Sequence, residues 1–191
     1  PVQTPTPEGN GGEVESISAD QARQLLLKAD YEGAKKAAAA ILVGDSSNLD
    51  GQLILAVAEI YLGNFADAQK TIDRLNKVHP DESRVITAGA LLSSAKGDLE
   101  GAIQTLENGL SNHEDDVHIH FLLATLYVKT DKKLEAAEHF TLVRDLEPAY
   151  DGIPVSGGFQ EFAETVEKFK GPIIAILGAI VHFIAAIAGS G

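Results

Sequence analysis

Apolar residues recur along most of this chain at the three- and four-residue spacing of amphipathic helices, and the pattern repeats. In frames starting at Glu15, Leu49, Ser83 and Val117, the chain falls into a 34-residue register without insertion or deletion. A small residue stands at the eighth place of each frame, Ala22, Ala56, Ala90 and Ala124, and alanine recurs at the twentieth, Ala34, Ala68, Ala102 and Ala136. Two helices approach closely only where side chains are small, so these alanines predict the contact line of a helical hairpin. Between them the helix must break, at Gly63 and Gly97 in the middle frames and at Ala29 and Asp131 in the outer ones. Pro80 and Pro148 close the second and fourth frames at one common place. Helical patterning opens at Ser18-Ala-Asp-Gln21, which fits a capping box.

Internal repetition at this period decides the fold class. In Gly63-Asn-Phe65-Ala-Asp-Ala68 with Pro80, and in Leu123-Ala124-Thr-Leu-Tyr127 with Ala136, Phe140 and Pro148, the sequence resembles the tetratricopeptide repeat family. The resemblance covers roughly residues 15 to 150. It implies an all-α, right-handed solenoid of about four hairpins with a binding role and no catalysis. The family's tryptophan-like place holds Gln52, Ile86 and His120 here, and its aromatic eleventh place holds Leu25, Glu59 and Ser93 in the first three frames. These departures bear on the details of helix packing.

The resemblance also implies a ligand groove on the concave face, lined by the first helix of each hairpin. Its positions transfer to Leu53, Val57, Ile60 and Tyr61 in the second frame, and to Arg84, Thr87 and Leu91 in the third. In the fourth they transfer to His118, Phe121, Thr125 and Lys129. The lining is apolar with a few basic ends. Val57 and Leu122 stand where carboxylate-clamping relatives need asparagine, so the expected guest is an apolar peptide or partner helix lying in the groove.

The flanks differ in composition. Residues 1–14, rich in proline, glycine and polar residues, bury too little apolar surface to offset the entropy of ordering and read as a flexible tail. Residues 151–158 read as a linker by their turn residues. Residues 159–170 return to helical spacing, with Phe159, Phe162, Val166 and Phe169 on one stripe, and predict a helix capping the last hairpin. Residues 171–191 predict a C-terminal hydrophobic helix. Pro172 to Gly189 carries no charge from end to end. As a helix that stretch would span roughly 27 Å, enough for a thin bilayer.

That segment divides into two faces. Ala175, Gly178, Ala179, His182, Ala185, Ala186 and Gly189 share one, and Ile173, Ile176, Leu177, Ile180, Phe183, Ile184 and Ile187 take the other. Small residues at this spacing let a second helix approach in lipid, so residues 172–189 are expected to meet a membrane, partner helices, or further copies of the chain in a homo-oligomer. His182 in the small face is read as donating a hydrogen bond between helices. Its small-x-x-x-His setting also resembles the magnesium ligand of bacterial light-harvesting polypeptides, which makes pigment holding the remote alternative; otherwise no cofactor is expected.

Charge and composition narrow the functions. A formal charge of -13 and a pI near 4.7 repel nucleic-acid phosphates, so nucleic acid is not expected as a partner. Without cysteine there is no disulfide, thiolate chemistry or cysteine-bound zinc, and the redox compartment stays open. Pro1 is expected to follow removal of an initiating methionine, and Lys168 and Lys170 before the hydrophobic helix lead one to expect the repeats on the cytoplasmic side of a membrane. Periplasmic and extracellular locations stay open.

Catalytic constellations are missing from the pattern. No Ser/His/Asp order, phosphate-cradling glycine loop or His-x-x-x-His pair is present. The run from His113 to His120 gathers three histidines and three carboxylates, but His118 and His120 point to opposite sides of a helix. A solvated turn is expected there, not a metal site. The chain is therefore expected to be a non-enzymatic scaffold or adaptor fixed to a membrane or assembly by its C-terminal helix. The alternative is a structural subunit that self-assembles through that helix.

Overall fold

A computed structural model describes residues 17–147. The tail at 1–14, the linker at 151–158, the capping helix at 159–170 and the hydrophobic helix at 171–191 all lie outside the described residues. Within them there are eight α-helices and no strand: α1 (Ala19–Leu27), α2 (Tyr31–Gly44), α3 (Leu49–Tyr61), α4 (Phe65–Val78), α5 (Ser83–Ala95), α6 (Leu99–Leu110), α7 (Val117–Lys129) and α8 (Lys133–Leu146). None of these is long and apolar enough to cross a membrane.

The 34-residue register holds to the residue. Helices α3, α5 and α7 start at the frame starts Leu49, Ser83 and Val117. All four predicted breaks adopt the left-handed conformation, with φ of 57° at Ala29, 76° at Gly63, 90° at Gly97 and 58° at Asp131. Each closes its helix in the same way. The amide after the break bonds back five residues, Asp30 to Leu25, Asn64 to Glu59, Asp98 to Ser93 and Lys132 to Tyr127. That is the Schellman pattern, which satisfies carbonyls a helix end leaves without donors.

Glycine takes this conformation without steric cost, whereas alanine crowds its own Cβ against the backbone. Ala29→Gly is therefore expected to stabilise the array by about 1 kcal/mol, and Gly97→Ala to destabilise it by a similar amount. Urea unfolding of the two variants measures both; a destabilised Ala29→Gly would show that the strain is relieved elsewhere.

A second alternation, with a period of two hairpins, overlies the first. Asp30 and Asp98 cap α2 and α6, each Oδ1 accepting from the backbone N–H of Gly33 or Gly101 at 2.9 Å. A Cβ on either glycine would come within 2.2 Å of that carboxylate, so the tight cap requires glycine. Helices α4 and α8 have no side-chain cap. In the second and fourth hairpins, the polar residues at the tryptophan-like place serve instead as loop ties. Gln52 Nε2 donates to the carbonyl of Ser46 at 2.9 Å, and His120 Nε2 donates to that of Glu114 at 2.7 Å. Both bonds reach back six residues to one repeat place. Ile86 in the third hairpin has no donor for the equivalent loop.

The core runs the length of the array. The eight register alanines are 0–1% exposed, and Ile72, Leu75, Leu106, Ile119 and Leu123 fill the spaces beside them. Burying each such leucine or isoleucine contributes about 1.5–3 kcal/mol, so apolar packing carries most of the stability. The predicted capping box is formed, with Gln21 N–H donating to Ser18 Oγ at 3.2 Å and Ser18 N–H to Gln21 Oε1 at 2.8 Å. Consecutive hairpins stack side by side, and the first helices of neighbouring hairpins, α1, α3, α5 and α7, contact one another in order.

Candidate functional site

The row of first helices sets out the groove positions as three strips. Residues at the second place of each frame lie at the N-terminal ends of α3, α5 and α7, those at the fifth and ninth, with Ile60 at the twelfth, in the middle, and those at the thirteenth at the C-terminal ends. The first strip is ionic. Arg23 Nη2 meets Asp50 Oδ2 at 2.8 Å, Asp50 Oδ1 meets Arg84 Nη1 at 2.8 Å, and Arg84 Nε meets Glu82 Oε1 at 2.7 Å. This ladder links α1, α3 and α5 and leaves each arginine already paired.

The middle strip is apolar and mostly closed. Leu53, Val57 and Thr125 are buried, and Ile60 and Leu91 at 3% and 2% exposure belong to the packing between helices, so they offer a guest no surface. Thr87 and Phe121 are half-buried and accessible. The threonine hydroxyls turn back to their own helices, Thr87 to the carbonyl of Arg84 at 3.0 Å and Thr125 to that of Phe121 at 2.9 Å. Phe121 stands edge-on to Phe140, with ring centres 5.9 Å apart.

The third strip holds Tyr61, Ala95 and Lys129, with Tyr31 of α2 against the first. Tyr61 stacks on Tyr31 at 4.4 Å, its hydroxyl is buried without a hydrogen-bond partner among the described residues, and burial pushes the phenol up. Lys129 is half-buried, and burial pulls its ammonium down. It has no ion pair or hydrogen bond among the described residues.

Arrays of helical hairpins that superpose on this one occur in solved structures. A thermophilic TPR protein of Thermus thermophilus superposes with a TM-score of 0.63 at 18% identity, over 77% of this chain and 78% of its own. A tetratricopeptide repeat protein from Parabacteroides merdae gives 0.57 at 16% identity, over 86% and 69%. The described residues have the tetratricopeptide fold. No family profile and no curated protein sequence matches the chain.

In this tetratricopeptide array the structure brings Tyr61, Arg84, Thr87, His118, Phe121 and Lys129 to the accessible face. Leu53, Val57, Ile60, Leu91 and Thr125 are drawn into the packing. His118 caps the strip near Asp116, whose Oδ1 also accepts the N–H groups of His118 at 2.9 Å and Ile119 at 3.0 Å. Burial alone would raise the Asp116 carboxyl; the His118 side chain, the Ile119 N–H and the Ser83 side chain outweigh it and hold the carboxyl well below the usual carboxylate range. The small-face residues Ala175 to Gly189, His182 included, lie outside the described residues.

Sequence reasoning missed Arg23 and Asp50, the centre of the ionic ladder. The signal was available: they occupy the ninth place of the first frame and the second place of the second, positions already assigned to the groove elsewhere. The turn from His113 to His120 is structural, with His113 Nε2 bonding the Asp81 carbonyl at 2.7 Å and His120 buried as a loop tie. Among the described residues no three histidine, aspartate or glutamate groups converge on a metal position.

Proposed function

We infer that the protein is a non-enzymatic adaptor whose tetratricopeptide groove holds an apolar helix or peptide of a protein partner, while residues 171–191 fix it to a membrane or an assembly. The observation that carries the reading is Lys129. A half-buried ammonium is costly without a compensating carboxylate, and this one has none among the described residues, in a chain where 28 acidic residues face 15 basic ones. It stands at the C-terminal end of α7, on the face that also carries the half-buried Tyr61, Thr87 and Phe121. A guest with an apolar face and one carboxylate satisfies both parts of that face, and guests of this kind lie as helices in grooves. The lysines before the hydrophobic segment support a cytoplasmic groove.

Capture of partners from native membranes by the full chain, compared with Lys129→Glu and Phe121→Ala, tests the groove. Lys129→Glu should melt near the parent temperature and Phe121→Ala, which also loses its contact with Phe140, below it; at a temperature where both are folded, each should retain less than about a tenth of the specifically captured protein, because reversing the charge repels the carboxylate and trimming the ring removes its apolar contact. Undiminished capture by both removes the groove from the function.

Self-assembly through the small face is the second reading, and the segregation of Ala175, Gly178, Ala179, Ala185, Ala186 and Gly189 from the isoleucines favours it. Gly178→Ile should then reduce particle size in detergent, while Ile176→Leu leaves it unchanged. Equal behaviour of the two variants leaves a plain anchor. Pigment ligation by His182 is the remote third reading, and an absorption spectrum of the purified chain decides it.

A further inference from the structure

The register that builds the array also exposes a gap in it. At the seventh place of their frames, the second and fourth hairpins carry Leu55 and Leu123, the latter fully buried. The third hairpin carries Gly89. At the twenty-seventh place Leu75 and Val143 are buried in the second and fourth hairpins, and the third carries Gly109. At the twenty-third place the third hairpin has Thr105, small like Thr71 of the second, where the fourth has His139.

Two bulky side chains are thus missing beside a third small one, and α4, α5 and α6 enclose a cleft of about 320 Å³ there. Its size falls at the lower end for binding pockets, about 300–1,000 Å³. The two glycines differ in what they leave open. A Cβ on Gly109 would press on Ile86 at 3.0 Å, so Ile86 has filled that part of the space, whereas a Cβ on Gly89 would meet Ile72 alone, at 3.8 Å. Helical geometry puts Gly89 on the opposite side of α5 from Thr87 and Leu91, so the cleft opens away from the concave groove.

The rim carries a second, independent feature. Asn76 of α4, Asn108 of α6 and Asn112 beyond it border the opening, and none of their carboxamides has a hydrogen bond among the described residues. A carboxamide offers both donors and an acceptor, the complement of a peptide unit's C=O and N–H. A floor of Val85, Ile86 and Gly89 shaped by a missing leucine, bordered by Pro80, Asp81, Thr105 and three free carboxamides, suits one class of occupant.

We propose that this cleft is a second docking site, which takes one leucine-sized side chain of an extended segment of a protein partner while Asn76, Asn108 and Asn112 bond that segment's backbone. The floor selects the side chain by size, and the rim holds the chain around it without regard to sequence. The site is independent of the concave groove.

The test is a titration of the ¹⁵N-labelled full chain with acetyl-Ala-Leu-Ala-N-methylamide, against acetyl-Ala-Ala-Ala-N-methylamide and against 3-methylbutan-1-ol, which has the apolar group without peptide units. The leucine peptide should shift the Gly89 and Gly109 amides and the three asparagine side-chain amides, at least about ten-fold more tightly than the alanine peptide and more tightly than the alcohol. Gly89→Leu supplies the side chain found in register at 55 and 123; it should fold and abolish the shifts. Asn108→Ala, a surface change, should weaken the peptide at least about three-fold and leave the alcohol unaffected. Absence of shifts at these amides, equal affinity for the two peptides, or undiminished binding in Gly89→Leu or Asn108→Ala overturns the proposal. An alcohol that binds as well as the leucine peptide overturns it too, in favour of a small-molecule site.

Discussion

Ala102→Leu is expected to lower the stability of the array by about 1–3 kcal/mol, and its melting temperature by on the order of 5–10 °C. Ala102 is 0% exposed and sits inside the packed α5–α6 hairpin. A leucine there has no unfilled volume to enter, so it must separate the helices or force neighbouring side chains off their rotamers. Ala66→Leu makes the same chemical change at an exposed position of α4 and should move the melting point little. Thermal unfolding of the pair separates packing from composition. Equal melting points would mean that the twentieth place is not a close contact, which would undo the assignment of the repeat.

Acidification should weaken the fourth hairpin first. His120 Nε2 donates to the Glu114 carbonyl, so the neutral ring's Nδ1 is an acceptor, and His139 Nδ1–H donates to it at 2.8 Å. Burial, and then the neighbouring His120, hold the His139 imidazole down at about 4, against the opposing pull of Glu107. The ordinary value is 6.5, so between those two pH values the unfolded chain binds a proton that the folded chain refuses. Stability is therefore full above about pH 6.5 and lost as the pH falls toward 4. The total loss is roughly 2–3 kcal/mol, once the shift is discounted for the solvent screening of a half-buried ring. Below that window Asp116 adds its own loss, because its depressed carboxylate must be protonated last. Urea unfolding at pH 7, 5.5 and 4.5 measures the slope, and His139→Gln should flatten it over that interval. An unchanged slope in the variant would place the acid sensitivity elsewhere.

The parts of the fold that repeat were legible in the sequence, and the parts that arise between repeats were not. Ala22, Ala56, Ala90 and Ala124 could be aligned by counting, and the four breaks with them, because one steric requirement recurs at one spacing. The pairing of Arg23 with Asp50 and Arg84 depends on which places of adjacent frames face each other across the groove, information no single frame contains. For the same reason Leu53, Val57, Ile60, Leu91 and Thr125 read as groove lining although they are spent on helix contacts. His120 was readable as a packing residue, but its two ring bonds were not, since one partner lies in a loop and the other in α8. Nothing within their own frame marks Gly89 and Gly109; what marks them is the size of the leucine and valine side chains at the same places of the neighbouring frames.

The left-handed breaks set an order of opening. Glycine stands at the two inner breaks, and the strained residues Ala29 and Asp131 stand in the outermost of the described hairpins. Repeat arrays exchange stability mainly between neighbours, so a penalty at each end is felt locally. The end hairpins should therefore fray on a faster timescale than the middle, with the amides of α1 and α8 exchanging with solvent well before those of α4 and α5. Partial opening of this kind exposes one hairpin face at a time while the centre stays folded.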